Sequence, residues 1–554
     1  MTPRSLSHRA PLLGLLLAWA VGSLAAHVGW VAWSPVVWVG LAGAGLGLAW
    51  AGRGRGVVWW VAGLFLAMAA AGALRTGQER QRLAEWDELA LPPREAWLGL
   101  RIERVFATPP GEARAGGLAE VIGAEAHLRG LVGQRVQFSV DWPRGPGAVR
   151  AWRGAEFSAL GVLRPVARYP EEATFDRFLA DAGVNFSFGR ARLRGEPRAA
   201  GAWGRFCVEA GDRLESILRS GLGGQERLAD IHVAMMLGRQ QEMSEGQQDL
   251  FVRTGTMHLF AISGLHIAGI ALAVNLLLTV LRLPAGVRFA AGTLMLWVFV
   301  EVTGGTPSAV RAFWMVTCLL GAQFWRVPGN SLAALAVSAL GVLVVAPHQL
   351  FSASFQMSYG IVAALLLYGV PLQEKWLERW TPWVRLPGAD RGGWRGLVEQ
   401  AGRGSISAVA LGLAATLVGT PATLGFFQLM TPGGFFVNLL LIPLSTLVLF
   451  AGVGAMLAGG VGLVSLASIF NHAAALILAG MEAVVTGAAG VPWAAWPARF
   501  VWPGLATGAT AGILALLAVG YARGWRSREG GFWAPYVVLG LVLVLGVRGV
   551  RLAP

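Results

Sequence analysis

Cysteine, lysine and clustered histidine are the scarce residues of this chain. Its two cysteines, Cys207 and Cys318, fall in a soluble segment and an apolar helix, so they form neither a disulfide framework nor a thiolate metal site. Of 45 Lys and Arg residues only Lys375 is a lysine, so the formal charge of +14 reads as base-composition bias and cytoplasmic loop charge rather than as a nucleic-acid signal. The 8 histidines are scattered, without the H-x-H-x-D-H spacing of a metal hydrolase, so no metal or other cofactor is expected. No phosphate-binding P-loop or dinucleotide fingerprint occurs, and so no recognised motif for ATP hydrolysis or nuclease chemistry.

Charged residues make up only 14% of the 554, against 55% hydrophobic, and the mean hydropathy is +0.56. That composition, with 76 Gly, 27 Pro and 24 Trp, belongs to a polytopic membrane protein. Apolar spans over 11–33, 35–51 and 56–74 open the chain, and the first runs into the second as an uncleaved hairpin. Arg4 and Arg9 precede the first span, Arg53 and Arg55 follow the second, and Ser34 marks an uncharged turn between them. The positive-inside rule then puts the N-terminus in the cytoplasm and sends the third span outward.

Residues 75–225 follow as an extracytoplasmic, soluble-like segment whose 22 Arg and 19 Asp plus Glu leave a net of only +3. The runs AWLGLRIERVF, AEVIGAEAHLRG, QRVQFSVDWP and AEFSALGVLRPVA alternate apolar and polar residues between Gly/Pro turns, as short strands do. EEATFDRFLADAG has helical spacing, and VNFSFGRARLR reads as a last strand. The expectation is a small β-barrel of OB type; an ordinary β domain without a ligand is the plain alternative.

From 226 on, a polar-to-amphipathic stretch leads into ten further spans, at 257–281, 285–303, 307–325, 330–346, 354–370, 405–427, 435–458, 461–486, 501–520 and 533–548. Arg282, Arg288, Arg326, the basic loop 371–404 and the arginines at 523, 526 and 528 fall on one side, while the loops at 304–306, 347–353 and 428–434 carry no Lys or Arg. This alternation predicts about 13 membrane helices, and only Arg548 and Arg551, which would end outside, sit awkwardly with it.

Three polar constellations interrupt the apolar spans. The 257–281 span carries His258, Ser263 and His266; read as one helix, it puts Ser263 and His266 on one face. Interhelical hydrogen bonds, a lined path and a Ser/His hydrolytic dyad all remain open, although residues three apart on a helix seldom aim at each other for proton transfer. In GGTPSAVRAF (304–313), Thr306 and Pro307 suit a helix start, and Ser308 with Arg311 completes an anion site; an Arg311–Glu301 ion pair is the equal alternative. SFQMSYG (354–360) places Gln356 and Ser358 at another helix start, Asn438 lies in the 435–458 span, and Pro421 and Pro443 are set to kink theirs.

Four segments in order, FVRTGTMHLFAISGLHI (251–267), TGGTPSAVRAFWM (303–315), LFSASFQMSYGI (350–361) and LVGTPATLGFFQLMTPGGFFVNLLLIPL (417–444), resemble the ComEC-type competence family, as does FDRFLADAGV (175–184). Tyr359-Gly360 departs from the small residues expected there. The resemblance implies a bacterial inner-membrane channel for single-stranded DNA, with residues 1–74 as an N-terminal membrane segment, 75–225 as the extracytoplasmic OB-like domain and 226–554 as the channel. It reads as a short form, without the C-terminal domain resembling a metallo-β-lactamase. It also implies a cytoplasmic ATPase or helicase for force, an outside DNA receptor and a separate nuclease as partners. His258, Ser263, His266, Ser308, Arg311, Gln356, Ser358 and Asn438 are the path candidates. An intramembrane hydrolase using Ser263 and a small-anion secondary transporter are the competing readings.

Overall fold

The computed structural model describes residues 11–28, 34–53, 56–88, 92–106, 114–143, 148–166, 175–326, 329–380, 382, 394–491, 495–502, 504–525 and 531–549. Arg4, Arg9, Arg55, Arg385, Arg391, Arg526, Arg528 and Arg551, used in the charge alternation, lie outside these residues.

Helices α1 (Pro11–Val28), α2 (Pro35–Gly52) and α3 (Val57–Glu88) pack through small residues. A Cβ on Gly45 would lie 2.6 Å from the Ala67 nitrogen, and one on Gly22 would collide with the Ala69 carbonyl. Close backbone approach of this kind substitutes for the hydrophobic effect between helices in lipid. α3 runs past the expected limit at 74. Its extension carries Arg75, which donates to the Val344 and Val345 carbonyls at 3.3 and 3.2 Å, and Glu79, which meets His348 Nδ1 at 2.7 Å.

Strands β1 (Arg94–Val105), β2 (Arg114–Ala124), β3 (Arg135–Asp141), β4 (Glu156–Pro165) and β5 (Phe186–Leu193) close into a barrel in the order β1-β2-β3-β5-β4. Alternate inward residues such as Leu98, Leu100, Val136, Phe138 and Phe188 fill it. The expected strand over 119–130 is shorter than its alternation implied: beyond Ala124 the chain turns into a 3₁₀ segment, Ala126–Leu131, that buries Leu128 and Leu131. Helix α4 (Phe175–Asp181) separates β4 from β5 and touches the turn Pro347–Phe351.

Next come α5 (Ala202–Arg219), α6 (Glu226–Leu237) and α7 (Glu245–Arg253), then α8 (Gly264–Val280), α9 (Ala285–Val302), α10 (Pro307–Phe324), α11 (Ser331–Val345) and α12 (Ala353–Ala364). A π turn at Leu365–Gly369 joins α12 to α13 (Val370–Arg379), and α14 (Trp394–Phe427), α15 (Gly433–Gly460), α16 (Val464–Ala489), α17 (Leu505–Ala522) and α18 (Ala534–Gly546) complete the helices. Among the described residues eight helices are long and apolar enough to cross a membrane, and shorter apolar helices at Leu12–His27, Gly264–Val280, Ser331–Val345 and Gly531–Gly546 join them. This is a multi-pass membrane architecture. The described part of the basic stretch 371–404 is largely helical rather than a loop: Pro371 follows the π turn within one continuous helix, Ala353–Arg379.

The stretch from 202 to 256 does not stand clear of the helices. Asn471 of α16 donates to the Ile217 and Ser220 carbonyls at 2.7 and 2.9 Å, α6 is buried from Ile231 to Leu237, and Gly434 of α15 packs on the Thr254 carbonyl. A three-stranded sheet, β6 (Leu429–Met430), β7 (Trp496–Phe500) and β8 (Val547–Gly549), ties together two helix connections and the strand that follows α18.

Candidate functional site

The 257–281 span is not one helix. α7 ends before Gly255, whose φ of +69° suits glycine, and the Thr254 and Thr256 N–H and hydroxyl groups both donate to the Leu250 and Phe251 carbonyls, respectively. A 3₁₀ turn, Met257–Phe260, follows before α8 starts at Gly264. His258 therefore sits on an irregular segment, its Nδ1 3.1 Å from the Gly255 carbonyl. Its side chain is exposed.

Ser263 is the N-cap of α8, and here the sequence expectation fails. Its extended backbone turns the hydroxyl over the first helical turn, to within 2.9 Å of His266 Nδ1, so the two side chains do meet. The Ser263 N–H also donates to Nδ1 at 3.3 Å, which leaves the ring proton on Nε2. That Nε2 is buried with no partner, and His266 is 2% exposed.

The starts of three helices converge beside this cap. Ser308, at the second position of α10, donates to the Ile262 carbonyl at 2.8 Å and so binds α10 to the approach to α8. One turn on, Arg311 is 2% exposed and directs Nη2 to the Ser354 carbonyl and hydroxyl, at 2.9 and 2.8 Å, on the first turn of α12. Its Nε and Nη1 have no partner. Ser338 of α11 meets the Tyr359 hydroxyl at 2.7 Å, so the tyrosine that departs from the expected pattern fills a buried hydrogen-bonded position. Gln356 donates to the Leu350 carbonyl at 3.1 Å, and Ser358 lies one helical turn beyond Ser354 on the same helix. Asn438 stands apart on α15, its Oδ1 buried without a partner.

Glu301 is not the partner of Arg311. It accepts from Arg153 Nη1 at 3.2 Å and from the Trp203 indole at 3.4 Å, both outside the α8–α12 bundle. Gly304 and Gly305, with φ of +91° and +60°, fold the α9–α10 turn so that Glu301 faces the barrel while Arg311 faces α12. Arg104, on strand β1, lies over the Phe106 ring, 5.7 Å from its centroid. Burial pulls the Arg104 guanidinium below its ordinary value, and it forms no ion pair among the described residues. Ser354, which accepts from Arg311, and Arg153, which pairs with Glu301, were not among the sequence candidates.

The arrangement places a guanidinium, hydroxyls and an imidazole at neighbouring helix starts, a set of groups that can hold an anion. Among the described residues no group of three or more His, Cys, Asp or Glu could hold a metal ion. Residues 235–523 match the competence protein family, a match that covers more than half of the 554-residue chain and all three converging helix starts. The chain belongs to that family.

Among individual relatives, it is similar to ComE operon protein 3 of Bacillus subtilis (strain 168), 31% identical over 138 residues, which are 24% of this chain and 17% of that protein. It is also similar to the uncharacterized protein YcaI of Escherichia coli (strain K12), 27% identical over 237 residues, 39% of this chain and 27% of that one. The alignments thus span about a sixth and a quarter of those relatives' lengths. No solved structure matches the chain.

Proposed function

We propose that this competence protein is the cytoplasmic-membrane channel that admits a single DNA strand during natural transformation. The observation that carries the reading is Arg311: a guanidinium almost wholly buried in a membrane bundle, with two nitrogens unsatisfied and no acid paired with it among the described residues. A buried charge without a counterion is costly, so an anionic cargo is its natural partner. A polyanion cannot cross about 30 Å of hydrocarbon without a continuous polar path. His258, Ser263, His266, Ser308, Gln356, Ser358 and Asn438 are the remaining candidates to line or shape that path.

In this reading about 13 helices cross the membrane and the barrel faces outward. Its closed order β1-β2-β3-β5-β4 supports an OB-type assignment. Force comes from a cytoplasmic ATPase or helicase, an outside receptor delivers DNA, and a separate nuclease prepares the strand. The decisive experiment deletes the gene and supplies labelled DNA, scoring external binding and cytoplasmic entry separately. Loss of entry with binding intact supports the channel; unchanged entry rejects it. Reporters fused after Gly161 and Gly393 test the orientation, and activity on the same side would reject it.

A further inference from the structure

The turn that opens α12 is held from the N-terminal membrane segment. Beyond its apolar run, α3 carries Arg75 and Glu79 one helical turn apart on one face. Arg75 donates through Nε and Nη2 to the carbonyls of Val344 and Val345 at the end of α11, where a helix leaves acceptors open and favours a cation. Glu79 meets His348 twice: Oε1 lies 2.7 Å from Nδ1, and Oε2 accepts the backbone N–H at 3.3 Å. His27 of α1 stacks on Phe351 at the other end of the Pro347–Phe351 turn, with ring centroids 3.8 Å apart. Trp19 of α1 shares an apolar cluster with Phe355 and Tyr359 of α12, and Met68 and Ala71 of α3 pack against it.

From this turn hydrogen bonds continue into the Arg311 site. The Ser352 hydroxyl donates to the Gln349 carbonyl at 2.8 Å and caps α12 by accepting the Phe355 N–H. Gln356 reaches back to the Leu350 carbonyl at 3.1 Å. Ser354 lies between them, and its carbonyl and hydroxyl are the acceptors of Arg311 Nη2. Those two bonds set the plane of a guanidinium whose Nε and Nη1 have no partner, and forked recognition of an anion depends on that plane.

We propose that Arg75 and Glu79 are positioning residues for the Arg311 anion site: by clamping the Pro347–Phe351 turn they fix the start of α12, and with it the Ser354 acceptors that aim Arg311. The assignment rests on the channel reading for the identity of the anion. It gives the first three helices, which lie outside the matched residues 235–523, a part in that site. Recognition groups need to be held to about 0.5 Å by the shell behind them; here that shell includes a helix from the other end of the chain.

The test uses the full chain in nanodiscs of zwitterionic lipid, takes only monodisperse protein, and has a fluorescein-labelled oligothymidine as its probe. Glu79→Ala and Arg75→Ala should each weaken binding about tenfold. Arg75→Lys, which keeps a cation at the end of α11, should recover most of the loss. Added to Arg311→Gln, neither alanine variant should weaken binding much further, because both act through that guanidinium. A strap that served stability alone would lower the thermal midpoint and leave the affinity of the folded protein unchanged, and that result overturns the proposal. Additive losses with Arg311→Gln overturn it too. A ligand-free readout separates the clamp from the channel: in Glu79→Ala, hydrogen exchange should quicken several-fold over Leu350–Ile361 and Thr306–Met315 and not in strand β2. Unchanged exchange there overturns the proposal whatever the protein binds. A wild type that ignores oligothymidine, with exchange quickened as stated, rejects the channel reading and supports the clamp. Glu79→Gln, which keeps one acceptor, replaces Glu79→Ala if that variant does not fold, and should move both readouts in the same direction by less.

Discussion

Arg153 Nη1 donates to Glu301 Oε1 at 3.2 Å, joining the loop before β4 to the end of α9. Half of the arginine side chain and a fifth of the carboxylate remain accessible, so solvent screens the pair. Arg153→Ala and Glu301→Gln should show a coupling of about 0.5–1 kcal/mol in a double-mutant cycle on unfolding midpoints. The swapped pair Arg153→Glu with Glu301→Arg should recover part of it. An Arg311/Glu301 cycle should show no comparable coupling, and finding one would restore the pairing that the structure replaces.

Ser263 and His266 form a helix cap whose geometry also resembles half of a catalytic dyad. Ser263→Ala should cost about 1 kcal/mol of stability, and Ser263→Asp should recover much of it. A fluorophosphonate probe should leave Ser263 unlabelled: a working dyad needs a third group to orient the base, and His266 Nε2 has none. Mass-spectrometric detection of a Ser263 adduct would favour the hydrolase.

The two histidines should separate by phenotype. His258 is accessible on the irregular segment, so His258→Leu should reduce DNA entry with the protein level unchanged. His266 is buried against the cap, so His266→Leu should lower the amount of folded protein in the membrane as well as entry. Quantitative blotting beside the labelled-DNA assay reads both, and identical behaviour of the two variants would refute the division.

Gly45 faces Gly63 and Ala67 at near backbone contact. Gly45→Leu should force α2 off α3 and cost on the order of 2–3 kcal/mol, as overpacking does. Gly43→Leu, where the added side chain meets open space, should be nearly silent. A protease-accessibility comparison of the two variants decides it.

Long apolar runs and period-two alternation announce themselves in sequence, so the membrane helices and the barrel strands were legible there. The break at Thr254–Ser263 was not, because FAISGLHI keeps an apolar average straight through a 3₁₀ turn and a cap. Glu301 looked like the neighbour of Arg311 because the chain places them close; two positive-φ glycines then turn them to opposite sides. Ser354 lies 43 residues from Arg311 and Arg153 lies 148 from Glu301, and no local pattern encodes such pairings. The candidates stood out in the sequence because polar residues in apolar helices are rare enough to be conspicuous.

The small sheet imposes a rule of parity. β6, β7 and β8 are hydrogen-bonded neighbours, so the chain must be on one face of the membrane each time it passes through them. Between β6 and β7 it builds α15 and α16, and between β7 and β8 it builds α17 and α18. Each pair must therefore make an out-and-back excursion with an even number of crossings, whichever face carries the sheet. The C-terminal strand is thus fixed to the same side as the connection after α14, without any appeal to the charge of Arg548.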